Sequence, residues 1–334
     1  MSVDAKGLDP KIKLKTDLII LKFIKFCQEK ISEVDVLESN PAKEYLKKRG
    51  ILKEQILGKF AIGYCPEGSE IEFAEILKKE KLFEYIPFTV FSEKPKFNQQ
   101  FLFNRVGKFT FSNRVVFPII SDEGIETIYG RDITGMSPSR HKYSNPYYEG
   151  FFNLNEVKAR RYIIITEGII DALTLISCGY INTVGYCKGG YTYNSHIIDT
   201  TLFEPALETF KKVKSKNIYI CFDFDEKTNP HGQRNAIAFG SKLSDAGFSA
   251  NIISFDIQGA HDINEIYLSI DAPLKEKKSI LQEHMENAMN NSILWEELYL
   301  RLAVDEVDLR KEEKDKILNI FSYVISKIKH NILK

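Results

Sequence analysis

Tyr162-Ile163-Ile164-Ile165-Thr166-Glu167-Gly168-Ile169-Ile170-Asp171 is a short β-rich run that ends on an acid and a glycine. Ala172, Leu173, Leu175 and Ile176 then recur at helical spacing, so the stretch reads strand, turn, helix. Glu167 stands at the carboxyl end of the strand. If the helix starts at once, Asp171 lies near it, and both face the crevice where open α/β sheets bind ligands.

The pattern recurs twice downstream. Asn217-Ile218-Tyr219-Ile220-Cys221-Phe222 runs into Asp223-Phe224-Asp225, where period-two geometry puts both aspartates on one side. Ala250-Asn251-Ile252-Ile253-Ser254-Phe255 is followed, after a short loop, by His261-Asp262-Ile263-Asn264-Glu265. Five carboxylates at the ends of successive strands of one parallel sheet form a set of hard oxygen donors. Mg²⁺, or Mn²⁺ in its place, suits such donors, and a set over-supplied for one ion can hold two. Singly, Glu-Gly after a strand is usually a turn and Asp-x-Asp a solvated loop. The ordered context carries the metal reading. Glu167, Asp223, Asp225 and Asp262 are the expected ligands and Asp171 the fifth catalytic carboxylate; Asn264, neutral and weaker, is not counted.

This ordered set resembles the Toprim domain, shared by DnaG-type primases, type IA and II topoisomerases and several small nucleases. Upstream, Asn113-Arg114-Val115-Val116-Phe117-Pro118-Ile119-Ile120, then Ile128-Tyr129-Gly130-Arg131, then His141-Lys142-Tyr143-Ser144-Asn145-Pro146 resemble the basic subdomain that precedes Toprim in DnaG-type primases. Ala42 to Ile51 and Phe60-Ala61-Ile62-Gly63-Tyr64 are similar to that family's entry segment, so the likeness covers about residues 41 to 270. It implies an α/β fold for that stretch, and the apolar patterning before and after it reads as helical, which gives four parts. Residues 1–40 are a helical extension, 41–160 a mixed α+β basic subdomain, 161–272 a Toprim-type parallel sheet with flanking helices, and 273–334 a small helical bundle.

The residues of the upstream half agree with that likeness. Val115–Ile120 and Ile125–Tyr129 are two strands joined by Ser-Asp-Glu-Gly, a hairpin composition. Lys94, Lys96, Arg105, Lys108, Arg114, Arg131, Arg140 and Lys142 lie around them, interleaved with Phe97, Phe101, Phe103, Phe109, Phe111 and Tyr143. A basic groove with stacking platforms is how single strands are held without much sequence preference. Most of the phenylalanines read more plainly as core. Arg114, Arg131, Lys142, Tyr143 and Asn145 are the expected nucleic-acid or nucleotide contacts, with Gly189 chosen from Gly185-Tyr186-Cys187-Lys188-Gly189-Gly190 for close backbone approach. His231 and Arg234 read either as triphosphate contacts or as surface.

Whole-chain charge hides this division, because 46 basic and 46 acidic residues cancel. Acids outnumber bases between Glu167 and Glu265, so neutrality does not exclude a nucleic-acid partner. Leu18-Ile19-Ile20-Leu21 with Phe23, Ile24 and Phe26 is interrupted by Lys22 and Lys25, too short an apolar run to span a bilayer. It reads as an amphipathic helix packed on the body. The five cysteines form no Cys-x-x-Cys pair, and no histidine has the partner of a nucleophilic triad. No zinc site is therefore expected, although DnaG-type primases normally carry an amino-terminal zinc ribbon. Its lack, with the short length and Asp-x-Asn in the third motif, makes a phage or mobile-element primase the expectation.

The resemblance implies template-directed joining of ribonucleoside triphosphates on single-stranded DNA, in a bacterial or phage-infected cytoplasm and without a membrane. A replicative helicase and a separate zinc-bearing factor are the implied partners. A Toprim nuclease is the rival enzyme, since the same carboxylates can activate water. A non-catalytic single-strand-binding accessory is the third reading, and retention of the acidic set weighs against it.

Overall fold

The computed structural model describes residues 9–33, 40–87, 90, 96–98, 101–105, 108–187, 203–224, 230–255, 259–306, 318–319 and 321–326. It divides into two compact units, Met1–Tyr148 and Glu149–Lys334.

The first unit is built on an antiparallel sheet. Its strands are β1 (Gly63–Cys65), β4 (Arg114–Ser121), β5 (Gly124–Asp132) and β6 (His141–Tyr143), in the order β1-β4-β5-β6. β2 (Lys96–Asn98) and β3 (Phe101–Arg105) pair separately. The expected hairpin is present, and Ser121 pairs with Gly124 at its turn. Helix α1 (Pro10–Ser32) starts at Asp9, whose carboxylate accepts the Lys11 N–H, and has proline in its first turn. Its Ile19, Phe23, Phe26 and Cys27 pack with Phe73 and Leu77 of α4 (Glu70–Lys79), and with Phe109, Phe111, Val116 and Ile128. Apolar burial around Phe23 and Phe73 therefore seats the amphipathic helix in this core. Between α1 and α4 come α2 (Pro41–Lys48) and α3 (Glu54–Lys59).

The second unit is a six-stranded sheet in the order β12-β11-β10-β8-β9-β7. The strands are β7 (Phe151–Phe152), β8 (Tyr162–Thr166), β9 (Thr183–Tyr186), β10 (Asn217–Cys221), β11 (Ser249–Ile252) and β12 (Ile293–Leu294). The four central strands are parallel, while β7 and β12 add antiparallel edges. Both faces are covered, which is why the strands are apolar without alternation. Ile163, Ile165, Ile218 and Ile220 meet α7 (Glu204–Phe210), α8 (His231–Asp245) and α11 (Trp295–Glu306) through Phe210, Phe239 and Trp295. Ile164 and Cys221 turn the other way, toward Leu175 of α6 (Ile169–Ser177), Ile266 of α9 (Ile263–Ser269) and Met285 of α10 (Leu274–Asn290). The short α5 (Leu154–Val157) precedes β8. Helix α10 is also tied to the end of α6: the Tyr180 hydroxyl donates to Gln282 O, and the Gln282 amide donates to Cys178 O. Among the described residues no helix is long and apolar enough to cross a membrane.

Candidate metal centre and basic sheet

Strand order locates the acidic site. β8 lies between β9, its successor in the chain, and β10, so successive connections leave β8 on opposite sides. At such a reversal the helices diverge and open a crevice beyond the carboxyl ends of the strands. Glu167 follows β8 and Asp223 lies two residues beyond β10, with Thr166 in register with Cys221. The Asp223 N–H donates to Glu167 Oε2 at 3.3 Å, joining the first two motifs. The Phe224 N–H donates to His261 O at 2.9 Å, tying the second motif to the third. Asp225 lies outside the described residues.

Asp171 and Asp262 have structural duties as well as charge. Asp262 is the N-cap of α9, accepting the Glu265 N–H at 2.6 Å. Asp171, in the first turn of α6, is buried and accepts the Asn264 N–H at 3.1 Å. Burial first, then the Asp262 and Glu167 carboxylates, push Asp171 up to about 8, against the opposing hydrogen bond from Asn264. Burial also raises the Cys221 thiol, with Asp171, Asp223 and Asp262 adding to it. Asp171, Asp223 and Asp262 therefore bear electrostatically on the last residue of β10.

Three supporting residues escaped the sequence reading. Asn264 is fully buried, and its amide donates to Thr174 Oγ1 at 2.9 Å while Thr174 donates to Ile170 O. Asn264 thus fastens the start of α9 to α6. A Cβ at Gly232, in the first turn of α8, would collide with the Asp223 carbonyl oxygen. Only glycine lets that helix approach so closely. Glycine just inside a helix start, and threonine among apolar helix residues, were the available signals. Within β9, an added Cβ at Gly185 would lie 2.9 Å from Gly168 O, so the strand packs closely on the start of α6 there. Gly189 and Lys188 lie outside the described residues.

The donors suit a hard cation. They are all oxygen, and Asp171 is raised first by burial and then by the Asp262 and Glu167 carboxylates, a repulsion between close acids that a divalent ion would relieve. Among the described residues no three such side chains converge as a ready cage. Asp225, a member of the expected set, is not among them.

The basic sheet separates its candidates. Arg131 pairs with His141 and Tyr129 with Tyr143, so these four side chains share one face. Gly130 pairs with Lys142 and with Val116, which puts Lys142 on the opposite face with Arg114. Burial, then the Arg114 cation, lowers Lys142. Arg114, one of the expected contacts, also has a structural duty. It is buried, and its guanidinium donates to Gly130 O, Arg140 O, Ser137 Oγ and Ser139 O, holding the β5–β6 connection. Asn145 is exposed and closes a turn by accepting the Tyr147 N–H. Phe109 and Phe111 are core. His231 opens α8, with the Arg234 N–H donating to Pro230 O.

No curated protein sequence matches the chain. Residues 31–157 match the family model of the DNA primase catalytic core, N-terminal domain, and residues 164–267 match a Toprim-like family model. The chain is similar in structure to the Aquifex aeolicus primase (zinc-binding and RNA polymerase domains). There the identity is 20% and the TM-score 0.64, over 99% of this chain and 73% of that one. It is similar to the E. coli primase catalytic core at 17% identity and TM-score 0.63, over 94% and 91% of the two chains. A DnaG primase catalytic domain bound to single-stranded DNA aligns at 17% identity and TM-score 0.65, over 96% and 92%. At these identities the shared fold is what the likeness establishes. The two family domains in this order, on that fold, place the chain in the family of DnaG-type DNA primase catalytic cores.

Proposed function

We propose that the chain synthesises short RNA primers, joining ribonucleotides on a single-stranded DNA template in a reaction that needs Mg²⁺ or Mn²⁺. The observation that carries this reading is the link between strand ends, in which the Asp223 N–H reaches Glu167 at the β8–β10 reversal. Glu167, Asp223 and Asp225, with Asp262 alongside, would hold the ion. When bound, such an ion lowers the pKa of a 3′-hydroxyl and neutralises charge on the triphosphate. Asp171 and Asn264 keep the carboxylates in place, and no side chain is required as a general base.

Arg131 and Tyr143 are the better-placed contacts for a strand, with Lys142, Asn145 and Gly189 as further contacts in the same reading. A relative solved with single-stranded DNA supports a single-stranded template here. The division at residues 1–40, 41–160, 161–272 and 273–334 belongs to this proposal, as do a replicative helicase and a separate zinc-bearing partner. The test supplies labelled ribonucleoside triphosphates and single-stranded templates of varied sequence, with Mg²⁺ or with chelator. Short labelled products that vanish with chelator support the reading. Cleaved template without products would replace it with the nuclease, and binding without either reaction with the accessory protein.

A further inference from the structure

His141 was not among the expected contacts, yet it is bonded through both ring nitrogens. Nδ1 lies 2.8 Å from the Tyr129 hydroxyl and Nε2 lies 3.1 Å from Arg131 Nη1. A guanidinium can only donate, so Nε2 must accept and the ring proton sits on Nδ1, donated to Tyr129 Oη. The ring also lies against Tyr129, at 5.9 Å between centroids and 29° between planes. Tyr143 packs on the far side of the same row, 5.0 Å from Tyr129. A buried Phe117 ring backs Tyr129 at 5.6 Å. One face of the sheet therefore carries an aromatic row that ends in a cation.

We propose that His141 is a positioning residue that holds the Arg131 guanidinium at the end of this row, aimed at a phosphate of a single strand whose base lies against Tyr143. The inference rests on Arg131 being a nucleic-acid contact. An unrestrained arginine pays rotamer entropy each time it engages a phosphate, and a hydrogen bond made in advance removes much of that cost. The device works only while the imidazole is neutral, since an imidazolium has no acceptor and would repel Arg131. The side chain keeps an exposed edge, yet partial burial first, and then the Arg131, Arg140 and Arg114 cations, hold His141 below the ordinary histidine value, which favours the acceptor form at neutral pH.

Binding of a fluorescent single-stranded oligonucleotide to the full chain, across a salt series, tests both steps. Arg131→Ala is expected to weaken binding and flatten the slope of log K against log salt by about 0.7, one phosphate contact on a single strand. His141→Phe keeps a ring beside Tyr129 but has no acceptor. It is expected to bind about three- to tenfold more weakly, the worth of one exposed hydrogen bond, with the slope unchanged because the cation remains. His141→Gln restores an acceptor and recovers most of the loss. Adding His141→Phe to Arg131→Ala should change nothing further. If Arg131→Ala binds like the parent, the contact reading falls. If Arg131→Ala weakens binding while His141→Phe does not, or if the two losses add, the contact stands and the positioning role is overturned. Unfolding midpoints are measured alongside; if the phenylalanine variant does not fold, His141→Ala carries the same expectations.

Discussion

The two sheets handle charge in opposite ways. In the second unit the motif-bearing strands are parallel, so the residues that follow β8 and β10 emerge at the same end and the Asp223 N–H reaches the Glu167 carboxylate. In the first unit the strands are antiparallel, and neighbouring basic residues fall on alternate faces. Arg131 joins Tyr143, Lys142 joins Arg114, and Arg114 is consumed by the connection that it braces. A parallel sheet gathers charge at one edge, whereas an antiparallel sheet sorts it.

If that contrast is right, the largest effect comes from the gathered set. Asp223→Ala should lower primer synthesis about a hundredfold or more, since even the outer partners of a metal site are worth 10- to 100-fold. Its unfolding midpoint should hold or rise, because a repelling charge has gone. Priming near the parent rate would break the comparison at its acidic end.

Gly232→Ala tests whether the strand end is held by backbone packing. The new methyl meets the Asp223 carbonyl, so a loss of about 1–3 kcal/mol in stability is expected, together with a fall in priming. Parent-like denaturant curves and rates would mean that α8 can shift without disturbing the acids.

Asp171→Asn should have a smaller effect, visible against pH. The folded chain raises this carboxyl from 3.8 to about 8. Its stabilising contribution is fully present below the unfolded value and is lost as pH rises through the folded one. In chelator, the asparagine variant should therefore melt higher than the parent near pH 8, and its midpoint should depend less on pH between 4 and 8. An unchanged profile would remove the charge crowding inferred at the crevice.

The smallest effect sharpens the basic side. Lys142→Ala lies across the sheet from Arg131, so its loss of oligonucleotide affinity should be minor and should add to that of Arg131→Ala. A strongly non-additive pair would put both cations on one strand of nucleic acid, despite the opposite faces.

The acidic motifs were legible because each follows a strand in the chain, Glu167 at once, Asp223 two residues on and Asp262 after a loop. Ile163 to Thr166, then Glu167, needs no tertiary knowledge to be placed. The supporting residues were not legible in this way. Asn264 looked like a weakened ligand, and only its neighbours Asp171 and Thr174, 93 and 90 residues away, reveal it as a fastening. The bracing duty of Arg114 was not legible because sequence does not say which face of β4 is covered. His141 was hidden for the same reason, since its partners Tyr129 and Arg131 come from the adjacent strand. Position along a strand can be read locally, but facing and burial are set by what folds against it.

Strand β12 has a consequence for synthesis. Ile293 and Leu294 close the edge of β11, and Trp295 fills the core beside Gly240, yet all three lie past the stretch that matches the Toprim-like family. A chain emerging from the ribosome therefore holds an open sheet edge and an unfilled apolar pocket until these residues follow. Unpaired edges of this kind recruit other strands. A fragment ending near residue 272 should consequently collect in aggregates, although it contains every acidic residue of the proposed centre.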